Sequence, residues 1–446
     1  MDERFYFFFE ETDSCLRARK PGWKVFHLPR VRDWHEQEGS ARPVSAAAHS
    51  REQLLLYEPR TEGHHLGWLR FIVEDLLSAE YQLSLAVDLR SEARDKLQDH
   101  LAGLLGEVKL LSAYDAANRR HGDGKAGSVA WCLRTSGAAR VFLCAFDEIA
   151  SFCWRRAACG FTPPPELRGR MGGIYHRPRF LVAPRWSPNR LLKHAGFRRL
   201  LTRGWLGQLL FTDEYLTREL QREFSSAPIF FLPDPCPAGC DCESAEARRQ
   251  LNVPPQKRVF LFYGTGYPRK GLSLAVEAFL GLPPDDVSFL LCVGQQNPEG
   301  KTARGLEQLV QEGRARLINR YVSTAEEKLS FGACDVALLP YLNHFGSSGV
   351  FSRAMAAGKM VIVSDEQLLG RLTRERGLGL LFPSGDAARL RECIREAAAM
   401  GPEPVAKWRC AARDYAQRYS RDAYRAALLA SLRAPTSGIL PTTSCK

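Results

Sequence analysis

Short apolar runs of strand length recur along the chain and alternate with segments in which apolar residues follow a helical spacing. Continuous apolar strands between amphipathic helices indicate a parallel sheet that is covered on both faces. In the first half, strands are predicted at 53–57, 82–87, 108–111, 140–145, 209–212 and 229–232. In the second half, they are predicted at 259–263, 287–293, 315–318, 336–339 and 360–363. The pattern predicts an α/β protein with two doubly wound, Rossmann-like domains.

The domain boundaries follow from where this pattern stops. Residues 1–50 and 434–446 lack sustained periodicity, so we expect poorly ordered extensions there. A first domain is predicted over 51–232 and a second over 256–402. The intervening segment 233–255 carries five prolines and is predicted to be a linker. Residues 404–432 have the spacing of one long final helix.

Composition narrows the class of protein. Hydrophobic residues make up 45% and charged residues 25% of the 446 residues, as in soluble globular proteins. No apolar run reaches the roughly 18 residues of a membrane span, and the aromatic N-terminus does not resemble a signal peptide. The 13 cysteines are scattered through predicted elements, which favours reduced thiols and a cytoplasmic location. The cluster Cys236, Cys240 and Cys242 does not match zinc-site spacing, so no metal site is expected.

The formal net charge of +12 favours an anionic ligand, acceptor or membrane surface. No basic stripe interleaved with aromatic residues is present, which disfavours nucleic acid as a partner. A basic run lies in a loosely patterned part of the first domain and comprises Arg190, Lys193, Arg198, Arg199 and Arg203. It is either a solvated surface or a peripheral contact with anionic lipid at the inner membrane face.

A Gly-rich turn follows the predicted strand 259–263 directly and precedes a helix. It contains Gly264, Gly266, Arg269, Lys270 and Gly271. Ligands of open parallel sheets bind at the carboxyl ends of strands, where backbone amides and a helix N-terminus face an anion. A dinucleotide-binding motif would require a third glycine at Arg269, which disfavours an NAD-linked enzyme. Arg269 and Lys270 instead suit a diphosphate. The alternative is a Gly-rich turn with two solvated cations.

A second small-residue loop, Ser347, Ser348 and Gly349, lies between the strand ending at Leu339 and the next predicted helix. Its hydroxyls and the first free amides of the helix can donate to an anion. Ser348 could instead serve only as a helix N-cap. Because both loops would lie at one edge of one sheet, we expect their donors to converge.

These motifs resemble the donor-binding half of GT-B glycosyltransferases of the retaining group 1 (family 4) type. The resemblance covers 259–386 and includes Arg269-Lys270-Gly271, the helix ending Ala354-Met355-Ala356-Ala357-Gly358 and the segment 379–386. It implies a nucleotide-sugar donor, with Arg269 and Lys270 neutralising the diphosphate and residues 347–349 binding its phosphates. It also implies that residues 403–433 cross back to the first domain.

The chain departs from that family at two positions. Relatives usually carry glutamates where Phe345 and Arg353 stand, one near the sugar and one on the ribose hydroxyls. A guanidinium accepts no hydrogen bonds, so another residue holds the ribose, the donor is held differently, or donor binding has been lost. Glu366, which follows the strand ending at Asp365, is a candidate substitute.

The first domain supplies candidate residues for the acceptor side. A loop after its first strand contains Gly63, His64 and His65, and either histidine could bind an anion or carry a proton. Asp147 and Glu148 follow the strand 140–145, and His176 and Arg177 lie further along. Alternatively, the two histidines are only exposed loop residues, and Asp147 and Glu148 only cap a helix. We predict His65 and Asp147 as catalytic residues together with Arg269 and Lys270.

The sequence therefore favours a metal-independent glycosyltransferase that moves a sugar from a nucleotide-sugar to a hydroxyl acceptor, which is a glycan, a lipid or another alcohol. It requires no cofactor beyond that donor. The alternative is a GT-B-shaped protein that binds an anionic sugar or nucleotide without turnover, as Phe345 and Arg353 would allow.

Overall fold

The first domain is built on a parallel sheet of seven strands. The computed structural model of the protein describes residues 52–61, 65–182, 188–237 and 242–434. Within these ranges the strands are β1 (Gln53–Glu58), β2 (Gln82–Val87), β3 (Lys109–Ser112), β4 (Arg140–Leu143), β5 (Met171–Ile174), β6 (Gln208–Phe211) and β7 (Ile229–Phe231). They pair in the order β3-β2-β1-β4-β5-β6-β7. Both faces of β1 and β2 are buried, which explains their continuous apolar runs.

Helices cover both faces of this sheet. They are α1 (His65–Ser78), α2 (Ser91–His100), α3 (Gly124–Ser136), α4 (Asp147–Ala158), the short α5 (Arg179–Val182), α6 (Pro188–Thr202) and α7 (Glu214–Glu223). One core cluster includes Val129 and Ile149, and a separate one on the opposite face includes Leu69 and Ile72. Helices α4 and α6 pack closely, because a Cβ at Gly196 would lie 2.1 Å from the Trp154 carbonyl oxygen.

Strand β5 lies where the sequence predicted only a loosened, Pro- and Arg-rich stretch. Its residues Met171–Ile174 include two glycines, so it has no apolar run. The glycines allow close backbone approach: a Cβ at Gly173 would lie 2.3 Å from the Leu143 carbonyl oxygen. The close pairing of β5 with β4 and β6 therefore requires glycine, and the strand lacks the apolar run by which the other strands were predicted.

The second domain contains a parallel sheet of six strands in the order β10-β9-β8-β11-β12-β13. The strands are β8 (Arg258–Tyr263), β9 (Ser288–Val293), β10 (Ala315–Ile318), β11 (Val336–Leu339), β12 (Met360–Ser364) and β13 (Gly379–Phe382). The strand order reverses between β8 and β11, and the carboxyl ends of such strands flank the crevice in which ligands of open sheets bind. The two doubly wound domains expected from the sequence are therefore present.

The helices of the second domain are α8 (Ser244–Gln250), α9 (Leu272–Leu280), α10 (Gly300–Gln311), α11 (Thr324–Ala333), α12 (Gly349–Ala356), α13 (Gln367–Arg376) and α14 (Ala387–Ala399). Helix α11 begins with the predicted capping box: Ser323 accepts from the Glu326 backbone while Glu326 accepts from Ser323. Helix α8 lies inside the segment predicted as a linker and packs against α11.

The single long helix predicted at the end of the second domain is two helices, α15 (Pro402–Arg418) and α16 (Arg421–Arg433). Tyr419 is the C-cap of the first, and Ser420 is the N-cap of the second and accepts from the Ala423 amide at 3.2 Å. Helix α15 packs on α12 and β12, whereas α16 packs on α1, β6 and β7 of the first domain. There Arg421 forms an ion pair with the buried Asp75, with contacts of 2.6 and 2.9 Å.

Two chain passages between the domains lie side by side. One leaves β7 through Cys236, and the other is the break between α15 and α16. The Cys236 amide donates to the Tyr419 carbonyl oxygen at 2.7 Å, and Cys236 and Ser420 form a parallel β-bridge. Nearby, Arg376 of α13 pairs with Glu214 of α7. The domains are therefore connected at one end of the cleft.

The predicted extension 1–50 and all of the extension 434–446 except Ala434 lie outside the described residues, as do Gly63, His64 and Cys240. Among the helices of the described ranges, none combines the length and apolar character needed to cross a bilayer.

Candidate active site

The Gly-rich turn after β8 depends on glycine for its shape. Gly264 has φ 112°, and a Cβ there would lie 2.4 Å from Lys270 Nζ, so the lysine side chain passes over the glycine. Gly271 has φ 75° and begins α9. The buried Gln296 supports the turn from below by donating its side-chain amide to the Gly264 carbonyl oxygen. The turn thus fixes the backbone that carries Arg269 and Lys270.

Lys270 and Arg269 lie in a single 3-10 turn, residues Pro268–Lys270. Burial, together with the positive charges of Arg269 and Arg353, lowers the pKa of Lys270 to about 8. Arg269 is exposed, and its guanidinium lies 3.4 Å from His344 Nδ1. Within the described ranges, neither cation forms an ion pair with a carboxylate. An anion between them would stabilise both charges.

The second loop, 340–348, connects β11 to α12 and lies beside Arg269 and Lys270. His344 donates from Nε2 to the Ser347 carbonyl oxygen at 3.1 Å, and its ring packs against Tyr341 with centroids 4.9 Å apart. Burial lowers the pKa of His344 to about 4, so its ring is neutral at neutral pH. Ser348 is the N-cap of α12 and accepts from the Phe351 amide at 3.4 Å. Its hydroxyl therefore supports the helix, while Ser347 and Gly349 are partly exposed.

The structure brings the two predicted loops together. The Leu342 amide donates to the Arg269 carbonyl oxygen at 2.8 Å. A Cβ at Gly271 would lie 1.9 Å from the Pro340 carbonyl oxygen, so only glycine permits this approach. The convergence follows from the pairing of β8 with β11, whose carboxyl ends lie side by side.

Two carboxylates hold the second loop in place. Glu366, the predicted substitute for a ribose-binding residue, accepts from the Asn343 amide at 3.2 Å. Asp234 lies in the passage between the domains. Burial raises its pKa, whereas a hydrogen bond from Ser347 and the charge of Arg353 lower it. Asp234 was not predicted, because its partner is more than a hundred residues away in the sequence.

Arg353 is 4% exposed and lies beneath the anion-facing loops. Its Nε donates to Glu327 of α11, and its Nη1 donates to the Gly349 carbonyl oxygen at 2.8 Å. Glu327 also accepts from the Tyr263 hydroxyl at 2.7 Å. The arginine that replaces the usual glutamate is thus built into a buried ion pair, and the sequence pattern gave no sign of Glu327.

Phe345, the second departure, lies at the seam between the domains. The guanidinium of Arg179 lies 5.9 Å from its ring centroid. Beside it, Gly346 approaches the His176 carbonyl oxygen, which would be 3.6 Å from a Cβ at that glycine. The loop after β5 and the loop after β11 therefore face each other across the cleft.

The first-domain wall is rich in ion pairs. His65, the first residue of α1, lies with Nδ1 3.0 Å from Glu58, whose side chain is buried at the end of β1. Asp147 accepts from the backbone amides of His176 and Arg177, both at 2.9 Å. The His176 ring is half-buried and contacts the Cys144 carbonyl oxygen at 3.0 Å, and desolvation lowers its pKa.

Glu148 lies at the centre of a cationic group. Its carboxylate is 3.2 Å from Arg60, 3.3 Å from Arg120 and 3.1 Å from Lys125. Burial raises the pKa of Glu148, but the bond to Lys125 and the surrounding charges lower it overall. The structure thus brings His65, Asp147, Glu148, His176 and Arg177 to one sheet edge. Among the described residues, no group of three or more His, Cys, Asp and Glu side chains is arranged to hold a metal ion.

The second domain resembles a known protein family. The family profile described as glycosyl transferases group 1 matches residues 243–415, which contain both anion-facing loops. The match covers the second domain and most of α15, and the first domain lies outside it.

A curated relative agrees with the family assignment. The chain is 29% identical over 195 residues to phosphatidyl-myo-inositol mannosyltransferase of Mycobacterium leprae. That match covers 42% of this chain and spans about half, 49%, of the relative's length.

Solved structures resemble the chain over both domains. Sucrose-phosphate synthase from Thermosynechococcus elongatus superposes with a TM-score of 0.58 at 18% identity, covering 86% of this chain and 98% of its own. Anabaena HepE in complex with UDP gives 0.59 at 15% identity, with coverages of 85% and 99%. At such identities the likeness shows the fold, which is the two-domain GT-B arrangement expected from the sequence.

Proposed function

We propose that the protein is a glycosyltransferase that moves a sugar from a nucleotide-sugar donor to a hydroxyl acceptor. The observation that carries the proposal is the pair Arg269 and Lys270, which lack a carboxylate partner within the described ranges and lie against the loop 344–349. Two cations in this position suit a diphosphate. The complexes of the similar HepE with UDP and with UDP-glucose support a donor of this class.

Catalysis would rest on electrostatic stabilisation of the departing diphosphate. Arg269 supplies a planar fork of donors and Lys270 a partly buried point charge, and both are positioned before the reaction begins. We propose that these two charges stabilise the departing diphosphate without a metal ion. We also propose that the reaction retains the anomeric configuration, as the family resemblance implies. Approach of the two walls would exclude water from the leaving group.

On the acceptor side, we assign different roles to the two predicted catalytic residues. His65 is paired with the buried Glu58, which suits a group that exchanges a proton with a hydroxyl. Both carboxylate oxygens of Asp147 accept hydrogen bonds from the backbone amides of His176 and Arg177. It therefore serves as a positioning residue for the loop after β5.

The basic run on α6 supports a peripheral contact with an anionic membrane. Leu191 and Leu192 are 51% and 50% exposed on this helix, which also carries the exposed Arg198 and Arg199. Exposed leucines beside arginines are typical of interfacial helices. Replacing both leucines by serine should lower binding to anionic vesicles by about tenfold or more, because each buried leucine contributes roughly 1.5–3 kcal/mol. Unchanged flotation, compared with the control Val310→Ser, would contradict this contact.

A second candidate function is nucleotide or sugar binding without turnover. It is favoured by Arg353, whose ion pair with Glu327 leaves no carboxylate at that position of the donor pocket. Cleavage and transfer across a panel of nucleotide-sugars distinguish the two. We expect release of nucleoside diphosphate from at least one donor. Tight nucleotide binding with no release on any donor or acceptor tested would favour the binding protein.

A further inference from the structure

The carboxylates along the first-domain wall are already engaged. Glu58 is bound by His65 and lies 3.7 Å from Arg60. Asp88, at the end of β2, accepts two bonds from Arg90 at 2.6 and 2.9 Å. Glu148 is shared by three cations. A new cation at this edge would find little negative charge left to neutralise it.

Arg177 is such a cation. Both oxygens of the neighbouring Asp147 accept backbone amides, one from His176 and one from Arg177 itself. These bonds fix the main chain of the loop after β5 and leave the Arg177 guanidinium without an ion pair among the described residues. The residue is exposed on the cleft side of the sheet edge. The backbone position of Arg177 is therefore fixed, while its guanidinium pairs with no carboxylate among the described residues.

The charges around Arg177 are mostly of its own sign. Partial desolvation lowers the pKa of Arg177, Asp147 opposes this shift, and the charges of Arg269, Arg179 and Arg60 lower the pKa further. Arg269 belongs to the opposite wall, so Arg177 faces the donor site from the first domain. The contact between Gly346 and the His176 carbonyl oxygen keeps the two loops close. Repulsion of this kind is relieved by an anion.

The donor diphosphate already has two cations, Arg269 and Lys270, on its own wall. Arg177 lies on the wall that also carries His65 and Glu58, where a hydroxyl acceptor would meet the donor. Its planar guanidinium can hold two oxygens of a phosphate at once, which a lysine cannot do. We propose that Arg177, flanked by Arg60, binds a phosphate group carried by the acceptor. This proposal rests on the proposed transferase function.

The shared chemistry is a phosphate ester, which a soluble sugar phosphate or a phospholipid headgroup could supply. The test is a calorimetric titration of the full chain saturated with UDP. Glucose 6-phosphate is the soluble probe, and glucose is its uncharged match. In a second arm, vesicles containing phosphatidylglycerol are compared with vesicles of phosphatidylcholine alone.

We expect glucose 6-phosphate or the anionic vesicles to bind and the uncharged match of each to bind at least about tenfold more weakly. Arg177→Gln should remove about tenfold or more of that affinity and change UDP affinity by less than about twofold. Arg177→Lys should recover part of the loss, because it restores charge without the fork. Arg168→Gln, an exposed arginine elsewhere in the first domain, should have no effect.

Several outcomes would overturn the proposal. If Arg177→Gln weakens UDP as much as the phosphate probe, Arg177 belongs to the donor site. If neither probe binds, or if binding is indifferent to Arg177, no acceptor phosphate is held there. Failure of the transferase function is separate: it would appear as no release of nucleoside diphosphate from any donor by the wild type, whereas the phosphate titration does not depend on turnover and can be repeated without UDP.

Discussion

The two walls of the cleft are both carboxyl edges of parallel sheets, yet they treat charge in opposite ways. On the first-domain wall, cations and carboxylates form a network, with Glu148 shared by Arg60, Arg120 and Lys125. On the second-domain wall, Arg269 and Lys270 lie against a neutral histidine and glycine backbone. The position at a sheet edge explains why polar loops gather there. Among the described residues, the cations of these walls that lack a carboxylate partner include Arg269 and Lys270 on the second wall and Arg177 on the first, and they indicate where an anion would bind.

The comparison is tested most strongly by removing the charges of the second wall. Arg269→Ala combined with Lys270→Ala should lower UDP affinity by about a hundredfold or more, since each hydrogen bond to a charged group contributes about 1.5–3 kcal/mol. Isothermal titration calorimetry measures the effect. Arg395→Ala, an exposed arginine on α14, is the matched control. Unchanged affinity would mean that the diphosphate does not bind between these loops.

The buried pair on the second wall gives the next largest effect. Arg353→Met should reduce the free energy of unfolding by about 3–5 kcal/mol, because Glu327 would remain buried without its partner. The double variant Arg353→Met with Glu327→Leu should recover most of that loss. Urea denaturation measures both. A small effect of the single variant, similar to that of the exposed Arg320→Ala, would show that the pair is not structural.

Lys270 makes the second wall sensitive to pH. Its pKa of about 8 means that UDP affinity should be full below pH 8 and fall by up to about tenfold per unit as pH rises through that value. Stability of the free protein should move the other way, rising between about 8 and 10.5, because unfolded lysine holds its proton more tightly.

Lys270→Arg is the control for this dependence, since arginine stays charged throughout. Its UDP affinity should stay flat over the same range. A wild-type profile that is equally flat would show that Lys270 is not partly desolvated in the way that its burial indicates.

The smallest effect separates helix capping from ligand binding. Ser348→Ala should cost about 1 kcal/mol of stability, because the N-cap of α12 is lost. UDP affinity should change by less than about twofold, since the Ser348 hydroxyl is used by the helix. Thermal unfolding and calorimetry together test this. A large loss of affinity with unchanged stability would move Ser348 into the anion site.

The sequence predicted the fold well where strands are apolar and buried on both faces, as in β1, β2, β8 and β11. It missed β5, because that strand is recognised by close backbone packing at Gly172 and Gly173 rather than by hydrophobicity. It also merged α15 with α16, since helical spacing continues through Ser420 and the break depends on which domain each helix packs against.

The candidate site divides in the same way. Arg269, Lys270 and Ser347 were predicted because local motifs carry them. Glu327 and Asp234 were not, because each is defined by a partner from a distant segment. Pairings between remote side chains follow from the tertiary fold and leave no periodic mark in the sequence.

The paired chain passages at Cys236 and Tyr419 bear on how the cleft would close. Two separate tethers would let one domain tilt and twist relative to the other. Two crossing segments that are hydrogen-bonded to each other instead favour bending about a single axis, which passes through both crossing points. Closure then becomes a swing about that axis, so fewer relative orientations must be given up when a ligand draws the walls together. A substitution at this hinge would therefore change the rate of opening and closing without touching either wall.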